Sequence, residues 1–191
     1  VLTKGKLPAD TWEEIVRTAH GLGIRSTSTI MFGHVDAPPH WVAHLRRLRS
    51  IQQDTGGFTE FVPLPFVHFN APIYLAGKAR AGPGLDDGRR MHAIARIVLR
   101  PLIRNVQVSW VKLGMEGSKT MLRGGANDFG GTLQEETISR MAGAPYGTRM
   151  EVEQFHRAIR EIGRVPAERS TTYDRVIPAD PAATPGPLLA I

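Results

Sequence analysis

The chain has 191 residues, 41% hydrophobic and 22% charged, which suits one ordinary domain with a buried core and argues against a disordered polymer. No apolar run reaches the roughly 18 residues of a membrane helix, no signal-peptide pattern opens the chain, and the lack of any cysteine excludes a disulfide framework, a thiol nucleophile, a thiolate zinc site and a self-supplied iron–sulfur cluster. The formal charge of +6 comes from 24 Lys+Arg against 18 Asp+Glu, but the basic residues are scattered, with Arg46, Arg47 and Arg49 the densest group, so a basic cytoplasmic protein is expected, with neither nucleic acid nor membrane as partner.

Helical and extended segments alternate along the chain. Pro8, Ala9 and Asp10 open a helix, with Asp10 as N-cap and Glu13 completing a capping box. Trp12, Ile15, Val16, Ala19 and Leu22 then repeat at helical spacing up to Gly23. Residues 27–32 form an apolar, β-branched strand that ends at Gly33–His34. Pro38 and Pro39 begin a second helix with Trp41, Val42, Leu45, Leu48 and Ile51 on its buried stripe, broken by Gly56–Gly57. Residues 58–66 read as a second strand, which Pro63 and Pro65 should end near Val62 or Leu64. A third helix over 87–103, a third strand over 106–113, a short helix over 115–122, a last strand over 126–129 and a final helix over 151–162 complete the pattern. The chain thus divides into residues 1–175 and a Pro/Ala-rich tail, 176–191, expected to be disordered.

Repeated strand–helix units imply an α/β fold with parallel strands and outer helices. Four such units after a leading helix are half of a (βα) TIM-type barrel, which needs about 250 residues when complete; an independent four-unit α/β domain is the rival architecture. Alternation puts Ile30 and Phe32 under the helices and turns Thr27, Thr29 and Met31 to the barrel lumen. On the second strand it puts Val62, Leu64 and Phe66 under the helices and Phe61, Pro63 and Pro65 inward. On the third, Val106, Val108 and Trp110 share one face; Gln107, Ser109 and Val111 share the other, where a ligand or a core partner must satisfy the polar groups. Barrel active sites lie at the C-terminal ends of the strands, which gathers His34, Pro65, His68, Asn70, Lys112, Asn127 and Asp128 on one rim.

Short motifs add no chemistry. GMEGSKT has Ser118 where a phosphate-binding loop needs glycine before its lysine, and Asp128-Phe129-Gly130 lacks the other kinase signatures. His40 and His44 sit four apart on a helix without a third metal ligand. The four glycines of GGANDFGGT allow close backbone approach to a ligand or simply a tight connection.

Four longer runs, STSTIMFGH (26–34), GGFTEFVPLPFVHFNAP (56–72), NVQVSWVKLG (105–114) and MLRGGANDFGGTLQEETISRMAG (121–143), resemble the radical S-adenosylmethionine family that contains the deazaflavin FO synthases and the menaquinone-pathway futalosine enzymes. The resemblance spans roughly residues 7–175, and the TEFVPLPFVH and SWVKLG forms favour the tyrosine-condensing members. It implies a barrel whose [4Fe–4S] cluster, on a Cys-x-x-x-Cys-x-x-Cys loop, cleaves S-adenosylmethionine to a radical. That radical abstracts hydrogen from tyrosine, releasing a 4-hydroxybenzyl radical that adds to 5-amino-6-(D-ribitylamino)uracil; a companion ring-closing activity finishes the deazaflavin. Thr29, Met31, Gln107 and Ser109 are then candidates to line the substrate path, and His34, His68, Asn70, Lys112, Asn127 and Asp128 to bind substrates or S-adenosylmethionine. With no cysteine, this chain matches only the C-terminal half of the barrel. It is expected to need the N-terminal half for activity and to be unstable alone through the open edge of strand 27–32. The alternatives are an aminofutalosine-type enzyme and a non-catalytic half-barrel that completes another chain.

Overall fold

The computed structural model describes residues 5–133, 137–147 and 149–180. Helix α1 (Ala9–Gly21) is followed by β1 (Ser26–Phe32), α2 (Pro38–Thr55) and β2 (Phe58–Pro65). A one-turn helix α3 (Pro72–Leu75) precedes α4 (Leu85–Leu99), and α5 (Trp110–Arg123) precedes the short α6 (Ile138–Met141) and α7 (Val152–Glu161). Strands β3 (Ala167–Arg169) and β4 (Val176–Pro178) form an antiparallel pair.

Strands β1 and β2 run parallel, as α2 between them requires. On the far side of β2, Phe61 bridges Val106, and Gln107 in turn bridges Asp128, both in parallel. Four extended segments therefore lie side by side in chain order, tied by Phe61 N–H to Asn105 O, Gln107 N–H to Phe61 O and Val108 N–H to Asp128 O, each at 2.9 Å. Helices α2 and α4 cover one face. Trp41, Leu45, Leu48 and Ile51 of α2 and Met91, Ala95 and Leu99 of α4 pack there with Phe32, Phe61, Val106 and Val108. The opposite face carries Thr27, Thr29 and Met31, all exposed on β1.

The β1 faces follow the alternation, but those of β2 are inverted with respect to it. Ser26 pairs with Phe58 and Ser28 with Phe61, so β2 fits one residue more than β1 into the same step, a β-bulge at Thr59–Glu60. Beyond it Phe61, Pro63 and Pro65 register with Ser28, Ile30 and Phe32 on the helix side, while Val62 and Leu64 share the open face with Thr29 and Met31. The strand runs on through both prolines to Pro65.

Other differences have local causes. Helix α1 starts at Ala9 behind Pro8 without a side-chain cap; Glu13 pairs instead with Arg17 at 2.8 Å and Arg47 at 3.4 Å. The run 106–113, expected as a strand, is extended only around Val106–Gln107, and helix begins at Trp110. A short apolar run of this kind suits a strand or a buried helix equally. Trp110 is buried and donates its indole N–H to Gly131 O. Gly114, at φ 64°, kinks α5 where the Tyr146 ring lies against it, and a Cβ there would fall 2.5 Å from that ring. Of the segment 126–129 only Asp128 bridges a neighbour. Of the tail expected to be disordered, Val176–Pro178 is strand β4, and 181–191 lie outside the described residues. No helix among the described residues is long and apolar enough to cross a membrane.

Candidate functional site

The residues singled out from the sequence fall into three places. Thr29, Met31, Gln107 and Asp128 lie on the face opposite the helices. Ser109, buried, is the N-cap of α5, and Lys112 lies in that helix's first turn rather than in a strand. His34, His68 and Asn70 follow the C-terminal ends of β1 and β2. Asn127 belongs to none of these. Its Oδ1 accepts Val106 N–H and an Arg96 N–H, at 2.8 and 2.5 Å, so it clamps α4 to the extended segments. Adjacent residues of an extended segment face opposite ways, and with Asp128 on the open face Asn127 turns to the helices.

The rim is built from loops that brace one another. Asp36 accepts Gly33 N–H at 2.8 Å, His34 N–H at 2.7 Å and the Trp41 indole N–H, which fixes the turn after β1. Burial alone would raise the Asp36 carboxyl pKa, but these donors outweigh it and hold it below the ordinary carboxylate value. The same turn meets the 80–83 loop, where Arg80 N–H donates to His34 O at 3.1 Å. Both His34 ring nitrogens are engaged, Nε2 with Met31 O at 3.0 Å and Nδ1 by Val35 N–H at 2.7 Å. His68 accepts Gly82 N–H on Nδ1 at 2.9 Å. Asn70 donates its amide to Met141 O, and Lys112 Nζ reaches Ser139 Oγ at 2.7 Å, so α6 draws the ends of the second and third segments together.

The open face is polar at its far side. Arg169 of β3 donates to Asp128 from Nε at 2.6 Å, Tyr173 Oη donates to the same carboxylate at 2.8 Å, and Gly130 N–H at 2.5 Å completes its shell. Burial and the Asp128 charge push the Tyr173 phenol well above its usual value. Burial works against the Arg169 charge, but the hydrogen bond and charge of Asp128 prevail and raise its pKa. Asp128 is thus engaged by its own chain. Glu60 is 8% exposed; one oxygen accepts Thr27 Oγ1–H at 2.5 Å, and the other, buried, has no hydrogen-bond partner among the described residues. The Gln107 carboxamide occupies the space left by Gly130 (φ 86°), where a Cβ would lie 2.1 Å from its nitrogen.

Glu60, Arg169 and Tyr173 are absent from the candidates read off the sequence. The bulge hides the side on which Glu60 points, and Arg169 and Tyr173 come from a segment 41 and 45 residues beyond Asp128 with no motif of their own. A [4Fe–4S] cluster takes thiolate ligands. The chain has no cysteine, and the described residues include no group of three or more His, Asp or Glu placed to hold a metal ion, so its own residues do not fit that cluster. His40 and His44 are occupied separately, by Ala37 N–H and by Thr29 O.

Residues 55–180 match a family described as the CofH/MqnC C-terminal region. An FO synthase of Nocardia farcinica is 60% identical over 92% of this chain and 20% of its own length, and one of Mycobacterium leprae is 62% identical over 91% and 20%. A 5-amino-6-(D-ribitylamino)uracil–L-tyrosine 4-hydroxyphenyl transferase of Methanopyrus kandleri is 54% identical over 92% of this chain and 47% of its own length. The chain spans about a fifth of the FO synthases it matches and about half of the transferase.

Proposed function

This chain belongs to the CofH/MqnC family, and from that premise we propose that it is the C-terminal half of the radical S-adenosylmethionine barrel that transfers the 4-hydroxybenzyl group of tyrosine to 5-amino-6-(D-ribitylamino)uracil, within an FO synthase of deazaflavin biosynthesis. The observation that carries this reading is the match to the transferase: a relative named for the tyrosine step alone aligns over the same share of this chain as the much longer FO synthases do. Four parallel segments in chain order, helices on one face and polar groups on the other, support the half-barrel.

In this reading the partners are tyrosine, the ribitylaminouracil, S-adenosylmethionine and an N-terminal half that carries the cluster cysteines. The ring-closing part of FO synthase is the companion activity. Radical generation needs a cluster for which this chain, without cysteine, supplies no thiolate ligands. What the chain's own residues do is bind, orient and exclude water. Thr29, Met31 and Gln107 line one wall; the braced rim of His34, His68, Asn70 and Lys112 closes its end; Asp128, paired to Arg169 and Tyr173, holds the wall in place. Covered by the N-terminal half, such a wall keeps a reactive intermediate from water and side reactions.

The test joins this chain to the cysteine-bearing N-terminal half of the transferase relative, reconstitutes the cluster anaerobically, and follows tyrosine and ribitylaminouracil by mass spectrometry. The tyrosine–uracil adduct is expected. Since the family description also covers MqnC, a menaquinone-pathway precursor is the second substrate offered; turnover of that precursor alone would replace the tyrosine reading.

A further inference from the structure

His68 lies three residues beyond the C-terminal end of β2 with its ring held between neighbours, the Phe69 and Tyr74 rings being 4.2 and 4.7 Å away. Its Nδ1 is 2.9 Å from Gly82 N. A backbone amide only donates, so Nδ1 must present a lone pair and the ring proton must sit on Nε2. Gly82 can come this near because it lacks a side chain: a Cβ would stand 2.2 Å from Phe66 O and 3.2 Å from Nδ1. Nε2 has no partner among the described residues, whereas both ring nitrogens of His34 on the same rim are engaged.

We propose that His68 is a substrate-binding residue held as the neutral Nε2–H tautomer, and that it donates to a carbonyl oxygen of the pyrimidinedione ring of the acceptor substrate. The inference rests on the tyrosine–ribitylaminouracil reading above. Charge divides the oxygen acceptors that reading offers, setting the carboxylates of tyrosine and S-adenosylmethionine apart from neutral oxygens, of which the pyrimidinedione carbonyls are the strongest acceptors. A carboxylate, as on tyrosine, favours an imidazolium, whose second proton would sit on Nδ1 facing the Gly82 N–H. A neutral ring carbonyl is matched by a neutral donor and leaves that contact intact. Gly82 is then a positioning residue: it touches no substrate and sets which nitrogen of His68 carries the proton.

The joined enzyme provides the test. His68→Phe keeps a ring and removes the donor, and should raise KM for ribitylaminouracil about five- to tenfold, the worth of one neutral hydrogen bond, while KM for tyrosine stays put. His68→Gln restores an N–H and should recover most of the loss. A rise in KM for tyrosine alone, or no change for either substrate, overturns the proposal. Independently of turnover, nitrogen NMR of the ¹⁵N-histidine-labelled wild-type enzyme at neutral pH should show one histidine, missing from the His68→Phe spectrum, with bare Nδ1 and protonated Nε2. The opposite tautomer overturns the proposal even if the enzyme is active. A wild-type enzyme that makes no adduct removes the substrate assignment while the tautomer measurement still stands, so the two failures are told apart.

Discussion

Two polar regions flank the same extended segments and are organised in opposite ways. Where the 167–178 hairpin lies, ionised groups answer one another: Asp128 takes bonds from Arg169, Tyr173 and Gly130, and Arg25, just ahead of β1, meets Asp174 at 3.3 Å. At the rim, side chains are spent mainly on backbone: Asp36 on two amides, His68 on Gly82, Asn70 on Met141. The first arrangement uses up its charges to fasten the end of the described chain across the sheet. The second fastens loops while leaving ring and amide atoms for something else. Polar residues of the open face and its rim thus divide by what they are bonded to, not by how polar they are.

The sharpest way to break that contrast is to remove one partner on the hairpin side. Asp128→Ala strands the Arg169 guanidinium and the Tyr173 hydroxyl and should cost the joined protein about 3 kcal/mol in urea unfolding, as loss of one member of a buried pair does. A loss below about 1 kcal/mol, the range of exposed pairs, would mean the hairpin is not held by this pair.

A buried group outside both regions gives an effect of similar size through pH. His92, fully buried on α4, donates Nδ1–H to Gly88 O at 2.7 Å, and its Nε2 has no hydrogen-bond partner among the described residues. Burial lowers its pKa from 6.5 to about 4. The unfolded chain therefore binds a proton below pH 6.5 that the folded one refuses. The stabilisation is complete above pH 6.5 and falls by about 3 kcal/mol as pH drops from 6.5 to 4. Unfolding titrations of wild type and His92→Gln over that range should diverge, and parallel curves would show that His92 does not carry the slope.

On the rim, Gly33→Ala places a Cβ 2.3 Å from Pro83 at φ 91° and should cost about 2 kcal/mol, with the 80–83 loop displaced from His34. Equal stability with full activity would show that the rim does not depend on that packing. The smallest effect belongs to the outermost contact of the hairpin: Asp174→Ala should cost about 0.5 kcal/mol, since Arg25 and Asp174 are 44% and 67% exposed. A cost matching that of Asp128→Ala would erase the distinction between inner and outer fastening.

The sequence carries the helices and the faces of β1 because their periodicities are uninterrupted. Trp41, Leu45, Leu48 and Ile51 enter the core, while Val42 at the margin of the same stripe is exposed, and Thr29 and Met31 turn away from the core. It does not carry the faces of β2, since a bulge leaves no mark in the alternation of a run as apolar as FTEFVPLP. The third segment is illegible for a related reason: in VQVSWV the same residues are buried whether the run is a strand or turns to helix at Trp110, as it does, so periodicity does not separate the two. Of the site, the loops that bring His34 and His68 to the 80–83 loop and Asn70 to α6 follow from strand ends and are readable, whereas Lys112, expected at the end of a strand over 106–113, reaches α6 from the first turn of α5. Asn127 is misplaced by one residue of alternation, and the partners of Asp128 are invisible because their contact spans more than forty residues.

The bulge in β2 also bears on how this chain tolerates changes in length. Thr59 is the extra residue of the step: its carbonyl accepts the Asn105 amide at 2.9 Å, and Glu60 beyond it already bonds Thr27 of the neighbouring strand. Losing its codon would close the step to a regular ladder, with Glu60 opposite Thr27 and Phe61 still opposite Ser28. One codon gained or lost between Phe61 and Leu64 would instead exchange core for open face in everything that follows, sending Pro65 out and unseating the loop that bears His68. Within this strand, insertions and deletions are therefore expected to survive only at Thr59.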